Sequence, residues 1–364
     1  MTYLDYQATT PLAPEVLEAM LPWLRDDFAN PHSAHAAGRK AKAAVEVARE
    51  QVADLMPDGG TVSFTSGATE ALNWAIKGTS GGIVTLATEH AAVLDTVAAE
   101  ARRGRDVTVL PVGSDGLVEF AAARAAIGPG VGLVAVMLVN NEIGTVQPIE
   151  ELAALAKAAG ALFLCDAVQG FGRELIPNAC DLVAVSAHKV HGPKGIGALW
   201  VRDGVTLEPL LHGGGQEPGG RSGTLSPSLC AGFGAAAALA KQRFGADRAH
   251  VSQLFRAAFQ ALGSAGWTLN GSKDERYHGN LNLLYPGLDV ARLMSDLRDI
   301  AFSAGSACAS GSGRPSHVLE AIGLSDAEAR SSIRLGFGRY TTEEEFLGAC
   351  QRIDEAARAQ RVAA

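Results

Sequence analysis

Long apolar runs are missing from this 364-residue chain. Although 47% of its residues are apolar, no stretch approaches the ~20 consecutive apolar residues that cross a bilayer. Met1-Thr2-Tyr3-Leu4-Asp5 lacks the character of a secretory signal peptide, so no membrane association is expected and the cytoplasm is the expected compartment. A positive surplus is absent too. The formal charge of −8 repels phosphates, which argues against direct binding of nucleic acid or an anionic membrane. Cysteine is sparse, with five residues (Cys165, Cys180, Cys230, Cys308, Cys350), odd in number and without metal-ligand pairing. That pattern excludes a disulfide framework and fits free thiols in a reducing compartment, with no metal site. No strand is followed by G-x-G-x-x-G with an acidic residue downstream, which disfavours a nicotinamide-dependent dehydrogenase. Internal repeats and low-complexity tracts are absent as well.

What is present is alternation. Short apolar runs at 61–65, 83–87, 107–110, 133–139, 162–165, 182–185 and 198–201 alternate with helical stretches such as 41–55 and 149–159. Continuous apolar strands separated by helices predict an α/β fold, a mainly parallel sheet flanked by helices. A glycine-rich stretch, 213–223, interrupts the order, and two helices are expected after it, at 226–244 and 247–265. Beyond Trp267, short strands at 267–269, 281–284 and 332–335 mix with helices at 290–298 and 342–359, which predicts a smaller α+β unit. The expected division is a large domain over 15–245 and a small one formed by 1–14 and 246–364.

The strongest chemical signal is Val185-Ser186-Ala187-His188-Lys189, a lysine just past an apolar strand in a glycine-bearing loop. Asp166 closes the preceding strand, so both residues reach the edge of a parallel sheet where ligands bind. A lysine and a partner acid placed so suit pyridoxal phosphate (PLP), held through a Schiff base with its ring nitrogen on the acid. Thr65-Ser66-Gly67-Ala68-Thr69-Glu70 is a strand, a small-residue turn and a helix start, able to hold a phosphate; Thr69 as a simple N-cap is the plainer reading. His90 follows a strand and could stack on a cofactor ring, or be a satisfied loop histidine. Asn140-Asn141-Glu142 offers amides to a ligand or to capping, and Gln169 lies three residues after Asp166. Arg334, mid-strand among apolar residues, needs an anion: a substrate carboxylate, or a protein carboxylate in a salt bridge. Cys308 sits in Gly305-Ser306-Ala307-Cys308-Ala309-Ser310-Gly311, with almost no side chain around it to pack against, and is the candidate reactive thiol.

Taken in order, these residues resemble the cysteine desulfurases of the NifS/IscS type, in the class V branch of the fold-type I PLP enzymes. The resemblance runs from Tyr3-Leu4-Asp5 through Asn30-Pro31-His32-Ser33, Glu89-His90, Asn140-Asn141-Glu142-Ile143-Gly144 and Asp166-Ala167-Val168-Gln169. It continues through Ser186-Ala187-His188-Lys189, Gly213-Gly214-Gly215-Gln216-Glu217 and Arg221-Ser222-Gly223-Thr224 to Cys308 and Pro315-Ser316-His317. It implies that Lys189 carries the cofactor, Asp166 holds its ring nitrogen protonated, His90 stacks on the ring and Gln169 meets the ring oxygen. Ala68, Thr69, Ser186 and His188 would bind the phosphate, with Thr224 contributing across a homodimer, while Asn141 and Arg334 hold the substrate carboxylate. Cys308 would take sulfur from L-cysteine as a persulfide, release alanine and pass the sulfur to an acceptor or scaffold protein, for iron–sulfur cluster assembly or tRNA thiolation. IscS-type members have a scaffold-docking extension beyond the point matching Ala364, so the resemblance leaves the acceptor's identity open. A selenocysteine lyase shares most of these features; a class V aminotransferase would not need Cys308 in such a loop.

Overall fold

The apolar runs become the strands of one central sheet, seen in a computed structural model that describes residues 1–305 and 316–362. In chain order, β1 (Thr2–Tyr3), α1 (Pro14–Arg25) and α2 (Ala36–Ala53) precede β2 (Gly60–Thr65), α3 (Ala68–Lys77), β3 (Gly82–Leu86), α4 (Ala91–Arg102) and β4 (Val107–Leu110). Next come α5 (Phe120–Ala126), β5 (Val131–Met137), α6 (Ile149–Ala158), β6 (Leu162–Asp166), β7 (Leu182–Ser186), β8 (Gly197–Arg202) and α7 (Pro227–Ser264). The remainder holds β9 (Thr268–Leu269), β10 (Asn280–Leu284), α8 (Val290–Asp296), β11 (Ile300–Ala301) and β12 (Ser303–Ala304). It ends with α9 (His317–Ala321), α10 (Asp326–Arg330), β13 (Ser332–Gly336) and α11 (Glu343–Val362).

The central sheet has the order β2-β8-β7-β6-β5-β3-β4. Successive strand residues face opposite sides, and both sides are apolar. Ile83, Leu133, Ala135, Leu164, Leu182 and Ala184 pack with α3 and α4. Val84, Val134, Val136, Phe163, Cys165, Val183 and Val185 join the larger core with α2, α6 and α7. The sheet is mainly parallel, as predicted, but β8 runs antiparallel to both β2 and β7. Residues 187–196, which join β7 to β8, are fewer than the dozen or so a parallel crossover needs, so the chain turns back.

The two helices expected at 226–244 and 247–265 are one helix, α7, of 38 residues and roughly 57 Å. Gly245 costs such a helix only about 1 kcal/mol, less than its packing against α1 and α2 returns. Across that seam Arg243 pairs with Asp247 at 3.2 Å, which in turn accepts from Arg339. A boundary between residues 245 and 246 therefore falls inside an unbroken helix. Close approach of α2 and α7 depends on Gly234, where a Cβ would lie 2.6 Å from the Ala48 Cα.

The smaller sheet has the order β12-β13-β10-β9 and is antiparallel. The N-terminal strand β1 pairs in parallel with β11, Thr2 opposite Ile300, so the first residues lie against the last part of the chain. No helix among the described residues is long and apolar enough to cross a membrane.

Candidate active site

In the central sheet β3 has β4 on one side and β5 on the other, so the strand order reverses there and a crevice opens at the carboxyl ends of the strands. A cavity of about 600 Å³ occupies that edge, within the usual range for a cofactor site. Register brings the predicted residues to it. Met137 at the end of β5 lies opposite Asp166 at the end of β6, and Ser186 at the end of β7 lies opposite Gly197, which also pairs Thr65 of β2. Gly197 has no side chain for a reason: a Cβ there would sit 2.7 Å from the Gly67 carbonyl carbon. The β2–α3 turn can therefore settle onto β8.

Ala68 and Thr69 open α3 and line the cavity. Thr69 is not the N-cap; the helix begins two residues earlier than that reading requires, with Gly67 in the capping position and no side-chain cap. The first helical bond is Ala71 N–H to the Gly67 carbonyl, so the N–H groups of Ala68 and Thr69 precede it and suit an anion. Ser186 and His188 line the same cavity. His188 lies 3.1 Å from the Thr9 hydroxyl, and burial with nearby Lys189 pushes its pKa down to about 4, leaving it neutral.

Lys189 ends a single tight turn, Ala187–Lys189, directly after β7. Its Nζ donates to the carbonyls of Ala8, at 2.8 Å, and Gln7, and Arg173 donates to its own carbonyl. Asp166 is buried, accepts the Val168 N–H at 3.0 Å, and has its pKa pushed up to about 6 by burial, against the pull of that bond and of Lys189. Glu89 is fully buried: Oε1 accepts the Met137 N–H at 2.8 Å, and Oε2 has no partner among the described residues. Burial, with Asp166 adding to it, holds Glu89 protonated well above the ordinary carboxyl range.

His90 combines both readings of it. It caps α4, Nδ1 accepting the Ala92 N–H at 3.0 Å, and it lines the cavity. The proton of the neutral ring is thereby placed on Nε2, and burial and Lys189 keep the ring neutral. Gln169 lines the cavity with its amide turned to the chain, Nε2 to the Gln7 carbonyl at 2.9 Å and Oε1 to Arg173 at 3.2 Å.

Asn140 and Asn141 divide their work. The Asn140 amide is consumed by the Thr88 carbonyl and the N–H groups of Glu142 and Ile143, while Asn141 lines the cavity. Arg334, 1% exposed, also lines it. Its protein partners are Asp5 at 2.7 Å, the Asn141 carbonyl at 3.0 Å and the Ser303 hydroxyl at 3.3 Å, and Nε has none among the described residues. Arg334 therefore has the protein salt bridge and also borders the cavity. Thr224 is exposed and lies outside this chain's cavity.

Cys308 lies outside the described residues. The described residues on either side of that segment are tied to the site. Gly305 donates to the Ser332 carbonyl at 2.8 Å, Ser316 Oγ donates to Glu142, and His317 Nε2 lies 2.9 Å from the Glu89 carbonyl. Cys165, Cys180, Cys230 and Cys350 are buried free thiols, and burial pushes Cys230 and Cys350 up to about 12, the opposite of a reactive thiolate.

Sequence reasoning gave no role to Gln7, Ala8 and Thr9, although Ala8-Thr9-Thr10 belongs to the resemblance, and all three line the cavity beside Lys189. Three consecutive residues with no periodic pattern give no clue to their role, and β1 just before them pairs with a strand 298 residues away.

An amine, a buried carboxylate, a histidine, and a helix N-terminus free to hold a phosphate suit PLP, and together they define a PLP-dependent α/β enzyme. The chain belongs to the aminotransferase class-V family, whose model matches residues 2–347. The mitochondrial cysteine desulfurase of Saccharomyces cerevisiae is 47% identical over 358 residues, covering 94% of this chain and 72% of that protein. The cysteine desulfurase IscS of Rickettsia bellii is 45% identical over 360 residues, covering 94% and 88%. The solved structure of a NifS-like protein matches with TM-score 0.90 at 33% identity, covering 97% of this chain and 98% of that one.

Proposed function

We propose that this chain is a cysteine desulfurase, which takes sulfur from L-cysteine onto Cys308, releases L-alanine and passes the sulfur to an acceptor. The observation that carries the reading is the gathering of Lys189, Asp166, His90, Asn141 and Arg334 around one cavity at the strand ends. The two relatives that bear the name cysteine desulfurase support the substrate.

PLP bound in the cavity supplies an electron sink for bonds at the α-carbon of an amino acid. Lys189 Nζ would hold the cofactor and, once free of it, would accept the α-proton. Asp166 would keep a proton on the ring nitrogen, which would give this buried carboxylate a cationic partner. His90 would lie against the ring, Gln169 would meet its oxygen, and Ala68, Thr69, Ser186 and His188 would hold the phosphate. Arg334 and Asn141, which both line the cavity, would orient the substrate carboxylate. The Cys308 thiolate attacks the substrate sulfur, so an S–S bond forms as the C–S bond breaks, and the remaining carbon skeleton takes up a proton and leaves as alanine. Thr224, outside its own cavity, serves the cavity of a second copy, which makes the working unit a homodimer. The acceptor is a protein thiol of the cytoplasm, in iron–sulfur assembly or tRNA thiolation.

The PLP-loaded protein incubated with L-cysteine and dithiothreitol should yield alanine and sulfide in equal amounts. Cys308→Ala should keep the visible cofactor band and lose sulfide release; full activity in that variant would refute the role of Cys308. Turnover of selenocysteine alone would move the assignment to a selenocysteine lyase.

A further inference from the structure

Beside the turn that carries Lys189 lies a second cavity, of about 40 Å³, lined by residues of α7, the Gly172–Arg173 turn, His191 and Arg339. It offers a few times the ~10–15 Å³ that one water needs, and no room for an organic molecule. Among the lining residues positive charge is in surplus, although Glu174 pairs with Arg248 and Glu345 lies near Tyr6 from outside the lining. Three guanidinium groups, Arg173, Arg248 and Arg339, face one carboxylate, Asp247.

Asp247 is already shared, accepting from Arg339 at 2.7 and 2.8 Å and from Arg243 at 3.2 Å. The carboxylate nearest Arg248, Glu174, is 3.6 Å away and outside the lining. Arg173 gives its N–H groups to Gln169 and to the Lys189 carbonyl and rests over the Tyr277 ring at 5.3 Å. His191 supplies no negative charge; its Nδ1 lies 2.9 Å from the Pro11 carbonyl and its ring is neutral. Tyr6 and Tyr277, both buried, stay un-ionised. Arg339 is the decisive residue. Its side chain is 5% exposed, and its Nη1 has no hydrogen-bond partner among the described residues. A buried guanidinium N–H without an acceptor is costly, and an anion is the partner that also balances the local charge.

We propose that this cavity binds a small monovalent inorganic anion of the halide class, held by Arg339 Nη1 and framed by Arg173 and Arg248. The anion braces Arg173, which in turn donates to the carbonyl of Lys189. Binding there does not depend on which reaction the neighbouring site performs.

The test uses the PLP-loaded protein at constant ionic strength, with gluconate replaced stepwise by chloride or bromide. The melting temperature should rise and saturate, as it does for a ligand that binds only the folded state. Arg339→Gln should weaken the apparent affinity about tenfold or more. Arg248→Gln, at a half-exposed position, should weaken it less. Crystals grown in bromide should show an anomalous peak in the cavity. Water alone there, or an unchanged saturable response in Arg339→Gln, overturns the proposal. If Arg339→Gln does not fold, the bromide peak and the Arg248→Gln titration decide it.

Discussion

Glu217 and Glu89 are both buried carboxylates, but the chain completes one and leaves the other unfinished. Glu217 accepts from Arg49 at 2.7 and 2.8 Å and from the Phe64 N–H at 2.5 Å. Glu70 is paired in the same way with Arg221 at 2.8 Å. Together these contacts fasten the glycine-rich 213–223 segment to β2 and α3. Glu89 has one backbone N–H and an oxygen without a partner, and it lies near Asp166, a second buried acid. Buried charge that the protein neutralises itself holds the architecture together. A buried acid left without a cation, as Glu89 is, is instead held towards its neutral form.

The largest effect that tests this contrast is on the completed side. Glu217→Ala strands Arg49 and should destabilise the protein by about 3–5 kcal/mol. Adding Arg49→Ala should recover part of that loss, because the unpaired charge goes with it. Urea unfolding of the single and double variants checks both statements, and additive losses would break the contrast.

Asp166 should show the opposite behaviour. In cofactor-free protein its pKa rises from 3.8 unfolded to about 6 folded. The folded state then binds more protons across that window. The Asp166 contribution is fully present below about 3.8 and is lost as pH rises to about 6, a change on the order of 3 kcal/mol. Melting curves of cofactor-free protein against pH, compared with Asp166→Asn, should show this slope vanish in the variant. Loading with PLP should flatten it too, since the ring nitrogen becomes the partner. An identical slope in Asp166→Asn would mean that other carboxyls set it.

The smallest effect concerns Glu89. With no cation beside it the side chain is already neutral, so Glu89→Gln keeps shape and charge and should change stability by less than about 1 kcal/mol. Glu89→Ala, which abandons the Met137 N–H, should cost more. A large loss in the glutamine variant would show that Glu89 is ionised and would sharpen the contrast into a different one.

Much of this molecule was legible in the sequence because its signals are local. The seven strands of the central sheet were anticipated within a residue or two, since each is an apolar run bounded by polar turns. Lys189, Asp166 and His90 each follow such a run, so the topology alone delivers them to one edge. Three features resisted reading. The seam at Gly245 looked like a break because its local cost is visible in sequence and the packing of α7 on α1 and α2 is not. The direction of β8 was hidden because apolar runs look alike either way. The counter-ion of Arg334 is Asp5, and no spacing rule links positions 5 and 334.

The sequence by itself determined the class of fold, the sheet edge where the cavity opens and many of the residues gathered there, because periodicity and turn chemistry act over a few residues. Only the tertiary structure decided which buried charges are satisfied. That outcome depends on partners brought together from opposite ends of the chain, Asp5 with Arg334, Arg49 with Glu217 and Asp247 with Arg339, and on the low dielectric that surrounds them once they are buried.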